Sequence, residues 1–315
     1  MECATCKTGC QKFGLTKAGT QRYRCETCRK TFTPAKALGA MRLPMDEAAS
    51  VLHHLLEGSS VRSTSRLTGV DVKTILALLV HVGQKCKRLM EEKFINVAVN
   101  DIQADEIWSF IGMKEKTRVA NDAGMLFGDV YTFVGIERES KLIVAWHMGK
   151  RSMNDTDEFT TKLSRATSGH FQITTDGYAP YKVAIPNILG DRVDFMTLVK
   201  KYGVENLQDQ RRYSPPMVMA IEYDTIIGEP VQARACTSHV ERSNLSLRMS
   251  TRRFTRLTNG FSKKWHNHQC ALALWFAYYN FGRVHMTLNE TPAMASGLEN
   301  HVWSIRELIE ESAKF

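Results

Sequence analysis

From Met45 onward, apolar residues return at helical spacing (Ala48, Val51, Leu52, Leu55, Leu56) until Gly58-Ser59-Ser60 breaks the run. The next stretch, VRSTSRLTGVDVKTILALL, has the length of two helices joined by a turn at Thr68-Gly69-Val70, with Asp71 as N-cap of the second. Ile75, Leu78 and Leu79 share that helix's inward side, which leaves Lys73 and Thr74 free to face a groove. Gln84 to Phe94 continues as a helical connector. At Val97 the pattern changes, because VAVNDIQADEIWSFIGM is rich in branched and aromatic residues and reads as strand. Residues 114–124 read as a loop. FGDVYTFVGIER and KLIVAWHMG then read as hairpin strands joined near Glu139-Ser140, and Asn154 to Thr167 as a helix. FQITTDGYAPY reads as a strand ending in Asp-Gly, and Asp191 to Gly203 as another strand with the start of a helix. Residues 208–236, with Pro215-Pro216, Gly228 and Pro230, read as an irregular insertion. A buried helix is expected over Trp265 to Phe281, then a turn at TPAMASGL and a terminal helix at Ser304–Ala313. Three consecutive strands, a helix, a strand and further αβ units predict a mixed sheet flanked by helices.

The stretch Ser238 to Lys264 combines two patterns. It has no proline and only Gly260, so its first part is expected to run as one helix. On a 3.6-residue period Glu241, Leu245, Arg248 and Arg252 fall along one side, and Val240, Leu247 and Phe254 form a separate apolar line. Arg242, Arg248, Arg252, Arg253, Arg256, Lys263 and Lys264 stand against one acid, Glu241. A lone carboxylate in such a field weakens phosphate binding unless it carries a cation. The alternative is a solvated basic helix whose Glu241 pairs with Arg248 or Arg242.

Composition narrows the class. The 315 residues leave room for two or three domains, and 43% hydrophobic with 24% charged residues is ordinary for globular protein. A net charge of +9 favours an anionic partner, nucleic acid ahead of an acidic membrane. The excess is concentrated: residues 1–42 carry nine Lys/Arg against Glu2 and Glu26, and Ser238–Lys264 adds a net six. No leader pattern is present at the N-terminus. The longest apolar run, Cys270 to Tyr279, is shorter than the ~20 residues that span a bilayer, so no membrane role is expected.

Five of the eight cysteines fall within the first 28 residues. Cys3-x2-Cys6 and Cys25-x2-Cys28, separated by 18 residues, have the spacing of a four-thiolate structural zinc site. Each pair makes a tight turn aiming two sulfurs at one ion, and two turns close a tetrahedron with no open position. Cys10 is a fifth thiol with a less natural spacing, and Phe32 is placed to cover the metal knuckle. Forty residues do not build a sufficient core unaided, so zinc is expected to be needed for folding. A redox role for the thiols is the alternative.

Three carboxylates fall at positions with chemical meaning in the expected sheet. Asp105 is on the first strand, Asp176 ends the strand after the first helix, and Glu241 lies on a later helix. Each alone is unremarkable; together they suit paired magnesium ions, which take hard oxygen ligands and keep water and phosphate in their shell. In-line displacement at phosphorus uses one metal for the attacking oxygen and one for the leaving oxygen, ~3.5–4 Å apart. Asp101, of the same strand parity, rivals Asp105. Glu106 points to the opposite face of a regular strand and reads as a support residue.

These blocks carry a resemblance. The ribbon with QRYRCETCRKTF, the motifs ADEIWSF and TTDGYAPY, the long HVERSNLSLRMSTRRFTRLTNGFSKK block and YYNFGRVHMTLNETPAMA together resemble bacterial transposases of the insertion-sequence-one family. The resemblance spans nearly the whole chain. It implies a multidomain α+β protein: a zinc ribbon (1–35), a helix-turn-helix region (44–95), an RNase-H-like mixed α/β catalytic domain (96–290) with the 208–236 insertion, and a helical tail (291–315). It implies Asp105, Asp176 and Glu241 as Asp-Asp-Glu ligands of two Mg2+ ions, with Mn2+ able to substitute, and structural Zn2+ on Cys3, Cys6, Cys25 and Cys28. Arg248 and Arg252, with Arg253, would contact DNA phosphates beside the cleavage point, and Lys73 and Thr74 would read the terminal inverted repeats. His239 and His285 are candidates for a place near the active site, which the sequence alone does not fix. Target DNA and a homodimer or higher synaptic assembly follow as partners, and a bacterial cytoplasmic, nucleoid-associated location is expected. Two rivals remain: a sequence-specific DNA-binding regulator with an idle catalytic domain, and a nuclease of the same fold without strand transfer.

Overall fold

A computed structural model describes residues 2–3, 5–17, 19–33, 36–202, 218–255 and 258–315. The N-terminal segment is a small three-stranded antiparallel sheet, β1 (Cys10–Leu15), β2 (Gln21–Cys25) and β3 (Thr31–Phe32). Tyr23 stacks on Phe32 across β2 and β3, with ring centroids 6.3 Å apart. Among the described residues, none of residues 2–33 joins the main apolar core, which runs from Leu38 to Ile309.

The helices follow as the apolar spacing predicts: α1 (Met45–Leu56), α2 (Val61–Thr68) and α3 (Val72–Lys93). Gly69 closes α2 in the left-handed region, at φ 73°, and Asp71 accepts a hydrogen bond from Lys73 N at 2.8 Å to open α3. α2 and α3 meet at 112°, within the usual range for a helix-turn-helix. Ile75, Leu78 and Leu79 are buried, Lys73 is exposed and Thr74 half-buried.

The expected connector does more than connect. The second half of α3 packs along the later helix α8 (Trp265–Phe281), and Gly83 makes the approach possible: a Cβ there would lie 2.3 Å from the Cys270 carbonyl oxygen. Cys86 and Cys270 serve as small apolar groups here, their thiols pushed by burial up to about 12 and about 11.

After β4 (Val97–Ala98) comes the long strand β5 (Asp101–Ile111). The segment expected as a loop forms a short helix, α4 (Glu115–Ala120), because Glu115 and Asp129 each accept the other's backbone N–H and Glu115 pairs with Arg118. β6 (Gly128–Glu137) and β7 (Ile143–Gly149) form the predicted hairpin, tightened where Ser140 N and Oγ donate to Glu137. Then follow α5 (Met153–Ala166), β8 (Thr167–Ser168), β9 (Phe171–Thr175), α6 (Tyr181–Leu189) and β10 (Val193–Tyr202).

Two expectations change at this point. β10 remains strand through Tyr202 with no helix beginning inside it, and Val218–Ile227 of the supposed irregular insertion is a regular strand, β11, paired antiparallel with β10. Residues 208–217 of that insertion lie outside the described residues. The main sheet is ordered β11-β10-β9-β5-β6-β7. β5, β6 and β7 form an antiparallel meander, whereas β9 runs parallel to β5 and β10 parallel to β9.

The rest of the chain is helical: α7 (Ser238–Ser250), α8 (Trp265–Phe281), α9 (Pro292–Ala295) and α10 (Ile305–Ser312). α8 is buried on nearly every side, with Trp275 and Phe276 each 1% exposed. Burying a side chain the size of Phe276 stabilises by about 1.5–3 kcal/mol. Asn280 on α8 both donates to and accepts from the Ile143 backbone, so the helix replaces the missing strand partner at that point of β7.

The C-terminal helix returns to the first ones: Arg306 pairs with Asp46, and Trp303 stacks on Phe281 at 4.4 Å. Residues 44–95, 96–290 and 291–315 thus share one continuous core. No single helix among the described residues is long and apolar enough to cross a membrane. α2 and α3 pass together on length and composition only, and the buried side of α3 faces other helices.

Candidate metal centres and nucleic-acid interface

Cys3, Cys6, Cys25 and Cys28 bring their sulfurs within 4.8 Å of one another. Cys3 Sγ and Cys28 Sγ are 3.7 Å apart, against about 3.8 Å for two thiolates in a tetrahedron of ~2.3 Å Zn–S bonds. The Cys25 thiol is pulled down to about 5, first by the Cys28 backbone N–H and then by the Thr8 hydroxyl, while the Cys28 side chain holds Cys6 up at about 12. Four soft donors at tetrahedral spacing fit zinc. Cys10 stands outside the group, its thiol directed to the Thr8 carbonyl oxygen at 3.6 Å.

The carboxylates meet where β9 stops. Ala104 pairs with Thr175, the last residue of β9, so beside Asp105 and Glu106 no further strand residue fills the sheet. Asp176 turns into that gap, fixed by the hydrogen bond its Oδ1 accepts from Tyr178 N at 2.9 Å. Asp105, Glu106 and Asp176 each bring a carboxylate oxygen within 4.8 Å of the others.

The face assignment of Glu106 holds but its consequence does not. Glu106 pairs in register with Phe133, whose ring meets Phe159 of α5 and Tyr181 of α6, while Asp105 pairs with Val134 on the α7 side. At the open end of β9 both side chains reach Asp176 around the strand edge. The support residue therefore sits in the cluster.

Glu241, in contrast, stands beside the cluster and not within it. Its carboxylate accepts from Lys200 Nζ on β10 at 2.5 Å and from Thr237 Oγ1 at 2.7 Å. The partners that hold it among the described residues are Lys200 and Thr237.

The orientation of α7 comes from β5: Gln103 Oε1 accepts from His239 N and Val240 N, capping the helix start from another element, and Asn244 Nδ2 donates to Asp105 Oδ2 at 2.9 Å. Neither Gln103, Asn244 nor Lys200 has a local sequence signal. Each acts through a partner distant in the chain.

Electrostatics shows how tightly these carboxylates are crowded. Burial, then the charge of Asp176, pushes Asp105 up to about 6. The same causes push Glu106, with a side chain 3% exposed, up to about 8. Glu106 Oε1 and the buried Tyr181 hydroxyl make no well-aligned hydrogen bond with any described residue, but they lie close enough that the hydroxyl eases the Glu106 carboxylate downward while that carboxylate pushes Tyr181 up. The other Glu106 oxygen pairs with Arg151 at 3.2 Å, whose guanidinium lies 4.1 Å from the centre of the Tyr178 ring. Crowded, partly unsatisfied carboxylates fit a hard divalent cation. Asp101 is excluded from the cluster: fully buried, it pairs with Arg138 at 3.2 Å and Arg234 at 3.6 Å. His239 and His285 sit near each other among Lys141, Arg138 and Arg283, and burial lowers both imidazoles below their usual range.

The basic residues divide. α7 ends at Ser250 and Thr251 is extended, so Arg252 lies in a separate helical turn, Arg252–Phe254, off the Glu241 face; Val240, Leu247 and Phe254 are buried as expected. Arg248 is half-buried in the last turn of α7. Arg253 turns inward, donating to Ser262 Oγ at 3.0 Å, and Ser262 continues to the buried His268 and on to Ser109. Burial lowers that guanidinium to about 10 and holds the His268 imidazole near 3, hence neutral. Arg256 lies outside the described residues.

A groove of about 990 Å³ runs between the α2–α3 corner and the segment after α7, and it collects Arg62, Lys73, Arg252, Lys263 and Lys264. No Asp or Glu is among its described lining residues. It brings one face of the α2–α3 pair and the basic segment together at a single surface. Compared with protein-family models and with curated proteins, the chain matches none.

Proposed function

We propose that this protein is a DNA transposase that binds insertion-sequence ends and carries out metal-dependent strand cleavage and strand transfer on an RNase-H-like scaffold. The observation that carries this reading is the Asp105–Glu106–Asp176 cluster, with Glu241 beside it on a helix oriented by β5. The sheet order supports the scaffold, with an antiparallel meander followed by two parallel strands and the acids at adjacent strand ends. The acid-free basic groove supports a polyanionic substrate.

Asp105 and Asp176 would hold Mg2+, with Mn2+ able to substitute, and Glu106 and Glu241 compete to complete the ligand set. When bound, such ions supply Lewis acidity toward the phosphate and lower the pKa of the attacking hydroxyl or water. Asn244 holds the Asp105 carboxylate, and Lys200 pairs with Glu241 and would have to yield for Glu241 to take a cation. Lys73, Arg252, Lys263 and Lys264 position the DNA backbone. Water hydrolyses a phosphodiester at the element end and frees a 3′-hydroxyl, which then attacks a target phosphate, with no covalent protein–DNA intermediate. Because two ends react together, a homodimer or larger synaptic assembly is expected.

The test is strand transfer from a pre-cut oligonucleotide end with purified protein and magnesium, comparing wild type with Asp176→Asn. Joined product from wild type alone supports the reading. DNA binding with no joined product under magnesium or manganese would replace it with a DNA-binding regulator. Glu106→Gln and Glu241→Gln, assayed side by side, identify which carboxylate completes the site.

A further inference from the structure

Beyond the carboxylates, at the far end of β5, lies a cavity of about 840 Å³, well within the ~300–1,000 Å³ range of small-ligand pockets. Trp108, Phe110 and Phe261 form its aromatic wall, with Trp108 and Phe110 centroids 5.8 Å apart and Phe110 and Phe261 4.6 Å apart. Lys114 and Arg253 also line it, Asn259 supplies an amide, and no described lining residue is acidic. Arg253, Asn259 and Phe261 line the basic groove as well, so groove and cavity adjoin. Trp108 is three residues beyond Asp105, about 10 Å along an extended strand.

We propose that this cavity receives an unstacked nucleobase of the DNA strand being processed, close to the reacting phosphate. Aromatic rings provide stacking that any base satisfies, and Lys114 suits a phosphate flanking it, while Arg253 is held inward by Ser262. An apolar peptide would gain nothing from cations without an acidic counterpart, whereas a nucleotide uses both the rings and the charges. The pocket would favour ends that are frayed or carry a single-stranded overhang, since a base already out of the helix spares the cost of unstacking.

This inference rests on the DNA-processing reading, and the experiment separates the two. Full-length protein with zinc is titrated with a blunt duplex and with the same duplex bearing a single-stranded overhang that contains one 5-iodouracil. Trp108→Ala should lower affinity for the overhang DNA by about tenfold and leave the blunt duplex unchanged, while Trp108→Phe, which keeps a ring, should retain wild-type preference. Irradiation of the wild-type complex should cross-link the iodouracil to Trp108, Phe110 or Phe261. If both DNAs bind but the Trp108→Ala preference is unchanged, or cross-links form only elsewhere, the pocket proposal falls alone. If neither DNA binds, the DNA-processing reading falls with it. If Trp108→Ala weakens both DNAs equally, the cross-link position in wild type decides.

Discussion

Among the described residues, two clusters of side chains able to hold a metal are built on opposite principles. In the cysteine cluster, four ligands come from two tight turns of one small sheet, and each turn places two sulfurs by local geometry. In the carboxylate cluster, Asp105 and Glu106 come from β5 and Asp176 from the end of β9, and the helix bearing Glu241 is set by Gln103 and Asn244. The first has little core besides its ligands, whereas the second rests on a sheet already buried between helices. Metal is expected to be part of the fold at one site and part of the chemistry at the other.

That contrast breaks most visibly on metal removal. Structural zinc contributes roughly 10–16 kcal/mol of apparent binding energy in small domains, so a zinc chelator or Cys25→Ser is expected to collapse residues 2–33. The melting transition of the rest should hardly move. Amide hydrogen exchange resolves the two regions, and equal protection of the N-terminal sheet with and without zinc would refute a metal-dependent fold.

At the second cluster the expectation reverses. Asp105→Asn or Asp176→Asn should leave the fold intact and lower strand transfer on the order of 10³-fold, since cation-assisted charge stabilisation amounts to several kcal/mol at about 1.4 kcal/mol per tenfold. Global unfolding of either variant would make the carboxylates structural instead.

A smaller effect concerns pH. Asp105 and Glu106 are pushed up to about 6 and about 8, so the metal-free folded chain keeps protons that the unfolded chain releases near pH 4 to 4.5. The unfolded state then binds fewer protons, and stability falls as pH rises from about 4 to 8, by at most about 1.4 kcal/mol per pH unit for each group. Magnesium should reverse the fall, because it binds the ionised carboxylates. Glu106→Gln should flatten its upper part, from pH 6 to 8, in thermal melts at stepped pH; an unchanged slope there would remove Glu106 from the cluster's electrostatics.

The smallest change is expected at the groove. Arg252→Ala or Lys73→Ala should each weaken DNA binding and reduce the salt dependence of its logarithm by about one unit of slope. Arg253→Ala is expected to act mainly on stability, since its guanidinium serves the buried Ser262–His268 chain.

Local pattern carried what depends on neighbours in the chain. The Cys-x2-Cys pairs, the turn at Gly69 with its Asp71 cap, the hairpin of β6 and β7 and the buried α8 are all legible because backbone conformation and periodicity are decided within a few residues. The Asp-Gly that ends β9 was legible for the same reason. Tertiary structure decided the rest. Alternation along a strand puts Glu106 opposite Asp105, yet only the early end of the neighbouring β9 lets both reach Asp176. Helical periodicity extended Arg252 onto the Glu241 face, but the helix stops at Ser250. β11 looked irregular because its flanks hold prolines and glycine, and its strand form comes from pairing with β10. Lys200, Gln103 and Asn244 became partners of the site through contacts between elements that no local spacing encodes.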